Sequence, residues 1–289
     1  MLVGMDIGGT KVRAGIVSES GRLAGAALSV PTKSWEDPES IFLRISDLLS
    51  LVMDGHDDVR AIGIGSTGPL DPDKGVILEC NNLPTMHGFH LKERIEERFG
   101  LPVSMDNDAN AFVLGEAIAG SGAGCSRVLG ITLGTGLGAA LAVDGKIVRG
   151  ARNCCGEIWA SPYGDGIIED YLSGTALSRM YKEISGADAD GAHIASLARE
   201  GDRNALSVFE RFTDALSFTL AWIVNMTDPD VIVIGGSVAT SADLFLDAAD
   251  KSFRRYVCPE PAASVKIRLS LSGADAGVIG AAALARELL

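Results

Sequence analysis

Apolar residues near the amino terminus fall in short alternating bursts, and further along they switch to helical spacing. Val3 to Ile7, Lys11 to Val17 and Ala24 to Val30 predict three short strands, separated by Gly8-Gly9 and by Ser20-Gly21. Residues 37–53 place Ile41, Ile45, Leu48, Leu49 and Val52 on one side of a helix. Ala61 to Gly65 reads as a buried strand, 91–99 as a charged helix, Pro102 to Met105 as a strand and Ala109 to Ala119 as a helix. A related order begins again near residue 127. Arg127 to Leu133 is a strand, Gly134 to Gly138 a turn, and Ala139 to Val143 and Lys146 to Val148 two further strands. After an irregular stretch at 150–165, helices follow at 168–184, 191–200 and 203–226. The last of these carries Leu206, Phe209, Phe212, Leu216, Leu220 and Ile223 at three- and four-residue steps, so it is expected to be packed in a core. Strand Val231 to Ile234, helix 241–256, strand Val265 to Leu271 and helix 276–288 complete the pattern. Two halves that each open on a glycine-turned hairpin predict a duplicated α/β fold with a ligand in the cleft between them.

Composition narrows the ligand. The chain has 35 glycines in 289 residues, well above the ~7% of an average protein. With no Gly-X-Y period and only ten prolines, neither collagen nor low-complexity disorder fits. The formal charge of −13 argues against a surface that tracks nucleic-acid phosphates or anionic lipid. A small anionic ligand would then rely on backbone amides or a metal ion. Residues 215–226 are the most apolar helical run, but Ser217 and Thr219 interrupt it and it is too short to span a bilayer. With no signal-peptide pattern at the start, a cytoplasmic protein without a membrane partner is expected. Five cysteines, of which only Cys154 and Cys155 are neighbours, and no C-x-x-C, predict free thiols.

Two hairpin tips carry matching chemistry: Asp6-Ile7-Gly8-Gly9-Thr10-Lys11 and Leu133-Gly134-Thr135-Gly136-Leu137-Gly138. Either alone is an ordinary hairpin turn. Facing one another, with Asp6 able to hold a hydrated magnesium ion, they favour a polyphosphate clamped by amides. No G-x-x-x-x-G-K-[ST] is present, and Gly134-Thr135-Gly136 does not lead into a helix, so neither a P-loop nor a dinucleotide fingerprint fits. Gly235-Gly236-Ser237-Val238 and the stretch Gly273 to Gly277 with Gly280 suit either the approach of a flat ring and ribose or caps and helix packing. Asp108, before the helix from Ala109, is a candidate proton acceptor for a hydroxyl, or else that helix's N-cap, with Asp106 as a nearby rival. Glu157 and Glu169 suit recognition of vicinal hydroxyls, or are exposed loop acids.

D-I-G-G-T-K at the start, V-x-x-D-N-D-A-N-A at 103–111, L-G-T-G-L-G at 133–138, G-E-I at 156–158, E-D-Y-L-S-G at 169–174 and I-G-G-S-V at 234–238 together resemble the ROK family of sugar kinases and repressors, from residue 3 to about 285. The resemblance implies the actin-like ATPase (ribonuclease H-like) fold, an α/β duplication of two domains around a cleft. These would be 1–118 plus 276–289 and 119–275, hinged near 117–124. The amino-terminal helix-turn-helix of the repressor branch is missing, which points to the kinase branch. By the same resemblance Asp108 is the catalytic base, and Asn107, Glu157, Glu169, Gly68 and Asn82 contact the sugar. Asp6, Gly8, Gly9, Thr10, Lys11, Gly134, Thr135, Gly136, Gly235 and Gly236 would surround ATP, with magnesium near Asp6 through water. The implied reaction is transfer of the ATP γ-phosphoryl group to a hexose, at the 6-hydroxyl, in a homodimer. Glucose leads, while mannose, allose, fructose and N-acetylmannosamine stay open, as does a non-catalytic sugar sensor.

One departure limits that transfer. The family's G-E-x-G-H is here Gly156-Glu157-Ile158-Trp159-Ala160, and its C-x-C-G-x-x-G-C-x-E is replaced by Tyr163-Gly164-Asp165-Gly166-Ile167-Ile168-Glu169. The zinc-binding His and its three Cys partners are gone, so no structural zinc is expected, and packing of Trp159 and Tyr163 is expected to hold the loop. Elemental analysis of the purified protein should find zinc far below one equivalent; a stoichiometric metal would overturn this reading of the loop.

Overall fold

Alternating residues give β1 (Leu2–Ile7) and β2 (Lys11–Val17), an antiparallel pair whose tip is Gly8-Gly9-Thr10. The third strand, β3 (Leu28–Pro31), starts four residues later than expected. Leu23 makes only an isolated bridge to Val17 before the chain rejoins β2. Helix α1 (Pro38–Met53) begins where Asp37 accepts a hydrogen bond from the Ser40 amide at 3.0 Å, with Pro38 inside the first turn, and it buries the apolar stripe read from the sequence. Then come β4 (Ile62–Ser66), the small pair β5 (Leu70–Asp71) and β6 (Val76–Ile77), α2 (Leu91–Phe99), β7 (Val103–Asn107) and α3 (Asp108–Ala119). The β5–β6 pair was not expected, because two residues per strand leave no period to detect.

The second run comprises β8 (Arg127–Leu133), β9 (Leu137–Val143), β10 (Lys146–Ile147), β11 (Pro162–Tyr163), β12 (Gly166–Ile167), α4 (Gly174–Ser185), α5 (Gly191–Arg199) and α6 (Arg203–Thr227). It ends with β13 (Val231–Gly235), α7 (Leu246–Phe253), α8 (Pro259–Ser264), β14 (Lys266–Leu269) and α9 (Ala276–Arg286). The helix expected from 168 starts at Gly174, because the Ser173 hydroxyl caps it by accepting from the Ala176 amide at 3.0 Å. The helix expected over 241–256 is broken at Phe245, whose buried ring packs 5.0 Å from that of Phe212. No helix is long and apolar enough to cross a membrane.

The computed structural model describes residues 1–289 and divides them into two units, Met1–Gly124 with Ala140–Cys155 and Ser270–Leu289, and Cys125–Ala139 with Gly156–Leu269. One five-stranded sheet has the order β3-β2-β1-β4-β7 and the other β10-β9-β8-β13-β14. Both follow the pattern third, second, first, fourth, fifth, with parallel pairing beyond the first strand, so the duplication read from the sequence is present in the topology.

In the first unit, one sheet face packs on α1 and α2 through Ile41, Ile45, Leu49, Leu91 and Ile95. The other face receives α9, which is held against β1, β4 and α3 with almost no side chain between. A Cβ on Gly4 would lie 1.8 Å from the Val278 carbonyl oxygen, and one on Gly280 would lie 1.7 Å from that of Ala111. Gly63 and Gly115 make the same kind of approach from β4 and α3. Gly280 is therefore a packing glycine. The buried Glu116 carboxylate ties the end of α3 to the segment entering α9, accepting from the Ser270 hydroxyl at 2.6 Å and the Ser272 amide at 3.1 Å. Gly4→Ala or Gly280→Ala should cost roughly 1–3 kcal/mol or more in urea titrations, because a backbone carbonyl cannot rotate out of the way. Gly25→Ala, with nothing near its Cβ, should stay within about 0.5 kcal/mol of the parent.

Candidate active site

In the first unit, the parallel strands β1, β4 and β7 end side by side, with Gly65 the register partner of both Asp6 and Asp106. The chain leaves β7 and turns at once into α3. Asn107 is the N-cap, its Oδ1 accepting from the Ala109 amide at 2.8 Å, and Asp108 is the first helical residue, its own Oδ1 also accepting from that amide at 2.8 Å. The N-cap alternative for Asp108 thus belongs to its neighbour. Asp106 is fully engaged: Oδ1 accepts from the Asn107 amide at 2.8 Å and from Asn110 Nδ2 at 2.7 Å, and Oδ2 from Arg149 Nε at 2.7 Å. Buried and paired in this way, Asp106 has no oxygen to spare for a substrate proton.

Asp6 sits on the other side of Gly65, whose Cβ position would be 3.9 Å from Asp6 Oδ1 and 3.7 Å from Asp108 Cα. It also meets the first turn of α9, where a Cβ on Gly277 would lie 2.8 Å from Asp6 Oδ2. Burial, and then the neighbouring Asp108 charge, raise the Asp6 pKa from 3.8 to about 7, against the pull of Lys11 and Arg13. Two acids that cannot comfortably both be ionised, with hard oxygen donors, fit a hydrated divalent cation. No cluster of three or more His, Cys, Asp or Glu side chains is arranged to bind a metal, so such an ion would take most of its ligands from water and a bound anion.

The β1–β2 tip is braced by its carbonyls. Thr32 donates from its hydroxyl to the Gly8 oxygen at 2.6 Å and from its amide to the Thr10 oxygen at 2.9 Å. The amides of Gly9 and Thr10 donate to no backbone acceptor. Asn82 lies against Gly9, where a Cβ would come within 2.8 Å of the Asn82 carbonyl oxygen, and its Nδ2 donates to Thr67 Oγ1 at 3.1 Å. A Cβ on Gly68 would be 3.1 Å from Asn107 Nδ2. Asp6, Gly8, Gly9, Gly68, Asn82, Asn107 and Asp108 therefore gather at one edge of the first sheet, with Thr10 and Lys11 at the exposed tip.

The second unit builds its tip differently. Gly134 and Thr135 are pinned by the start of α4: the Gly174 amide donates to the Gly134 oxygen at 2.7 Å, and the Thr175 hydroxyl to the Thr135 oxygen at 2.8 Å. Glu169 Oε2 accepts from the Leu137 amide at 2.7 Å and lies 2.5 Å from where a Gly136 Cβ would be. The structure thus puts this carboxylate on the glycine turn. Gly235 ends β13 opposite Thr132, and Gly236, at φ 89°, is pressed on the Leu133 backbone, where a Cβ would be 2.3 Å from its carbonyl oxygen. Glu157 is exposed and accepts from the Trp159 indole N–H. The segment that stands in place of the family's zinc-ligand pattern forms a small β11–β12 hairpin. Tyr163 packs edge-on to Tyr171 at 4.9 Å and against Phe218 at 5.1 Å, as expected of it. Trp159, expected to share that role, is 39% exposed.

Sequence reasoning missed Arg149, Gly277 and the Gly174-Thr175 pair. Gly277 lay in a stretch already singled out, and Gly174 closes the E-D-Y-L-S-G motif, but nothing local marks Arg149.

The family model described as ROK family matches residues 2–288. A glucokinase of Thermotoga maritima is 30% identical over 99% of this chain and 97% of its own length. The N-acetylgalactosamine kinase AgaK of a Shewanella strain is also 30% identical, over all of this chain and 97% of its own. The crystal structure of a ROK family glucokinase from Streptomyces griseus in complex with glucose and AMPPNP superposes with a TM-score of 0.85 at 33% identity, covering 99% of both chains.

The raised Asp6 pKa gives a signed stability prediction. A carboxyl that holds its proton more tightly when folded contributes stability that is complete below pH 3.8 and is lost as pH rises through about 7. In chelator-treated protein, Asp6→Asn should therefore melt progressively higher than the parent from pH 4 to pH 8. Parallel melting curves across that range would contradict the shift.

Proposed function

Since the chain belongs to the ROK family and is a carbohydrate kinase of actin-like ATPase fold, we propose that it transfers the γ-phosphoryl group of ATP to the 6-hydroxyl of glucose. The observation that carries the reading is the β7–α3 turn. It engages every oxygen of Asp106, assigns the cap to Asn107, and leaves Asp108 at the first helical position beside Asp6. In this role an Asp108 carboxylate oxygen takes the hydroxyl proton as the phosphoryl group moves. Asn107, Gly68, Asn82, Glu157 and Glu169 are assigned to the sugar, where each buried acceptor that a misplaced hydroxyl leaves unpaired costs ~1–3 kcal/mol. Amides at Gly8 to Lys11 and at Gly134 to Gly136, with Gly235 and Gly236, are assigned to the nucleotide. Magnesium, held through water by Asp6, would neutralise phosphate charge. Support for glucose comes from the glucokinase relatives. The galactosamine-type relative keeps acetylated hexosamines on the test panel, and the homodimer is part of the proposal by family resemblance.

A coupled ADP-release assay over glucose, mannose, allose, fructose, N-acetylmannosamine and N-acetylgalactosamine tests the reading. Glucose should give the highest kcat/KM, and saturable sugar binding without turnover on any of them would replace the kinase by a sugar sensor. Asp108→Asn should lower kcat by about 10²–10⁴-fold while sugar binding stays measurable by calorimetry; full activity in that variant would move the base elsewhere.

A further inference from the structure

Asp106 is 1% exposed and does no chemistry in the proposed reaction, yet it stands two residues before the proposed base. Its carboxylate braces the turn from inside, through the Asn107 amide and the Asn110 side chain. The charge that makes this possible comes from far along the chain. Arg149, two residues past β10, donates Nε to Asp106 Oδ2 at 2.7 Å, and its Nη2 lies 4.0 Å from Glu287. The Cys155 amide closes the following loop onto the Arg149 carbonyl at 3.1 Å, fixing the backbone that presents the guanidinium.

We propose that Arg149 is a positioning residue for phosphoryl transfer: by neutralising the buried Asp106 carboxylate it holds the Asn107–Asp108 turn in its productive geometry. The proposal rests on the reading of Asp108 as the base. A buried carboxylate stripped of its cation is left uncompensated and swings toward water. That movement loosens its hold on the Asn107 amide and on Asn110, and the turn that aims Asp108 is free to rotate. A misplacement of about 1 Å at a reacting group costs on the order of 10²-fold in rate. Lysine has no Nε–H donor part-way along its side chain and only a point charge at its end, so it replaces Arg149 incompletely.

The test compares the parent with Arg149→Lys, Arg149→Ala and the double variant Arg149→Ala/Asp106→Asn. It reads steady-state kinetics at a temperature where all are folded, melting temperature, and hydrogen exchange of the Asn107 amide. Arg149→Ala should lower kcat about 100-fold with the KM for ATP within about threefold, and should speed Asn107 exchange. Arg149→Lys should fall between, and adding Asp106→Asn should recover at least tenfold in kcat, since a neutral amide needs no counter-charge. If Arg149→Ala fails to fold, the kcat and exchange of Arg149→Lys against the parent decide. Parent-like kcat, with or without faster exchange, overturns the proposal, as does a loss of kcat that the double variant does not relieve. Absence of parent turnover on every sugar would instead defeat the kinase reading, and unchanged Asn107 exchange would then defeat the bracing separately.

Discussion

The backbone-to-backbone seating of the last helix is the contact on which the proposed site depends. Helices normally stand off a sheet by the length of their side chains, but α9 meets β1 and α3 where Gly4 and Gly280 leave carbonyl oxygens in the space a Cβ would need. This depth brings the first turn of α9 down to the end of β1, where Gly277 touches the Asp6 carboxylate. Helix N-terminal dipoles favour a negative group there, and Arg13, bonded to Asp275 at 2.8 Å, anchors the same turn. A bulkier helix would stand higher and leave that end of the strand open to water.

Three acids then occupy one strand edge in three different states. Asp106 is paired with Arg149 and braced by two further donors, Asp6 is pushed toward neutrality by burial and by Asp108, and Asp108 stands at the first helical position behind the Asn107 cap. Environments that drive like groups apart are how a single fold assigns separate roles to chemically identical side chains. The arrangement also answers how a chain of charge −13 suits an anionic substrate. In the proposed reading the positive features would be backbone amides at glycine tips, helix starts and a hydrated cation, each aimed, whereas surplus lysine would add charge without direction.

The second unit reaches a similar end with other parts. Its glycine tip is clamped by the start of α4 and by Glu169, so the segment that reads the sugar in the proposal is bonded directly to the turn assigned to phosphate. Where zinc ligands are missing, a short hairpin and the Tyr163–Tyr171–Phe218 cluster keep the intervening loop in place.

The sequence by itself determined the hairpins, the amphipathic helices, the duplication and the residue types gathered at strand ends, because each is written in a local period or a compact motif. It left open whether Asp108 caps α3, and whether Gly280 serves a ligand or a helix. It also misjudged helix continuity at Ser173 and Phe245. Those outcomes were decided by the tertiary structure: a hydroxyl taking a cap, a ring taking a core position, a carbonyl occupying the room of a Cβ. Arg149 is the extreme case. Its partner lies 43 residues away, and a long-range ion pair has no period, so only folding reveals which buried acid the guanidinium serves.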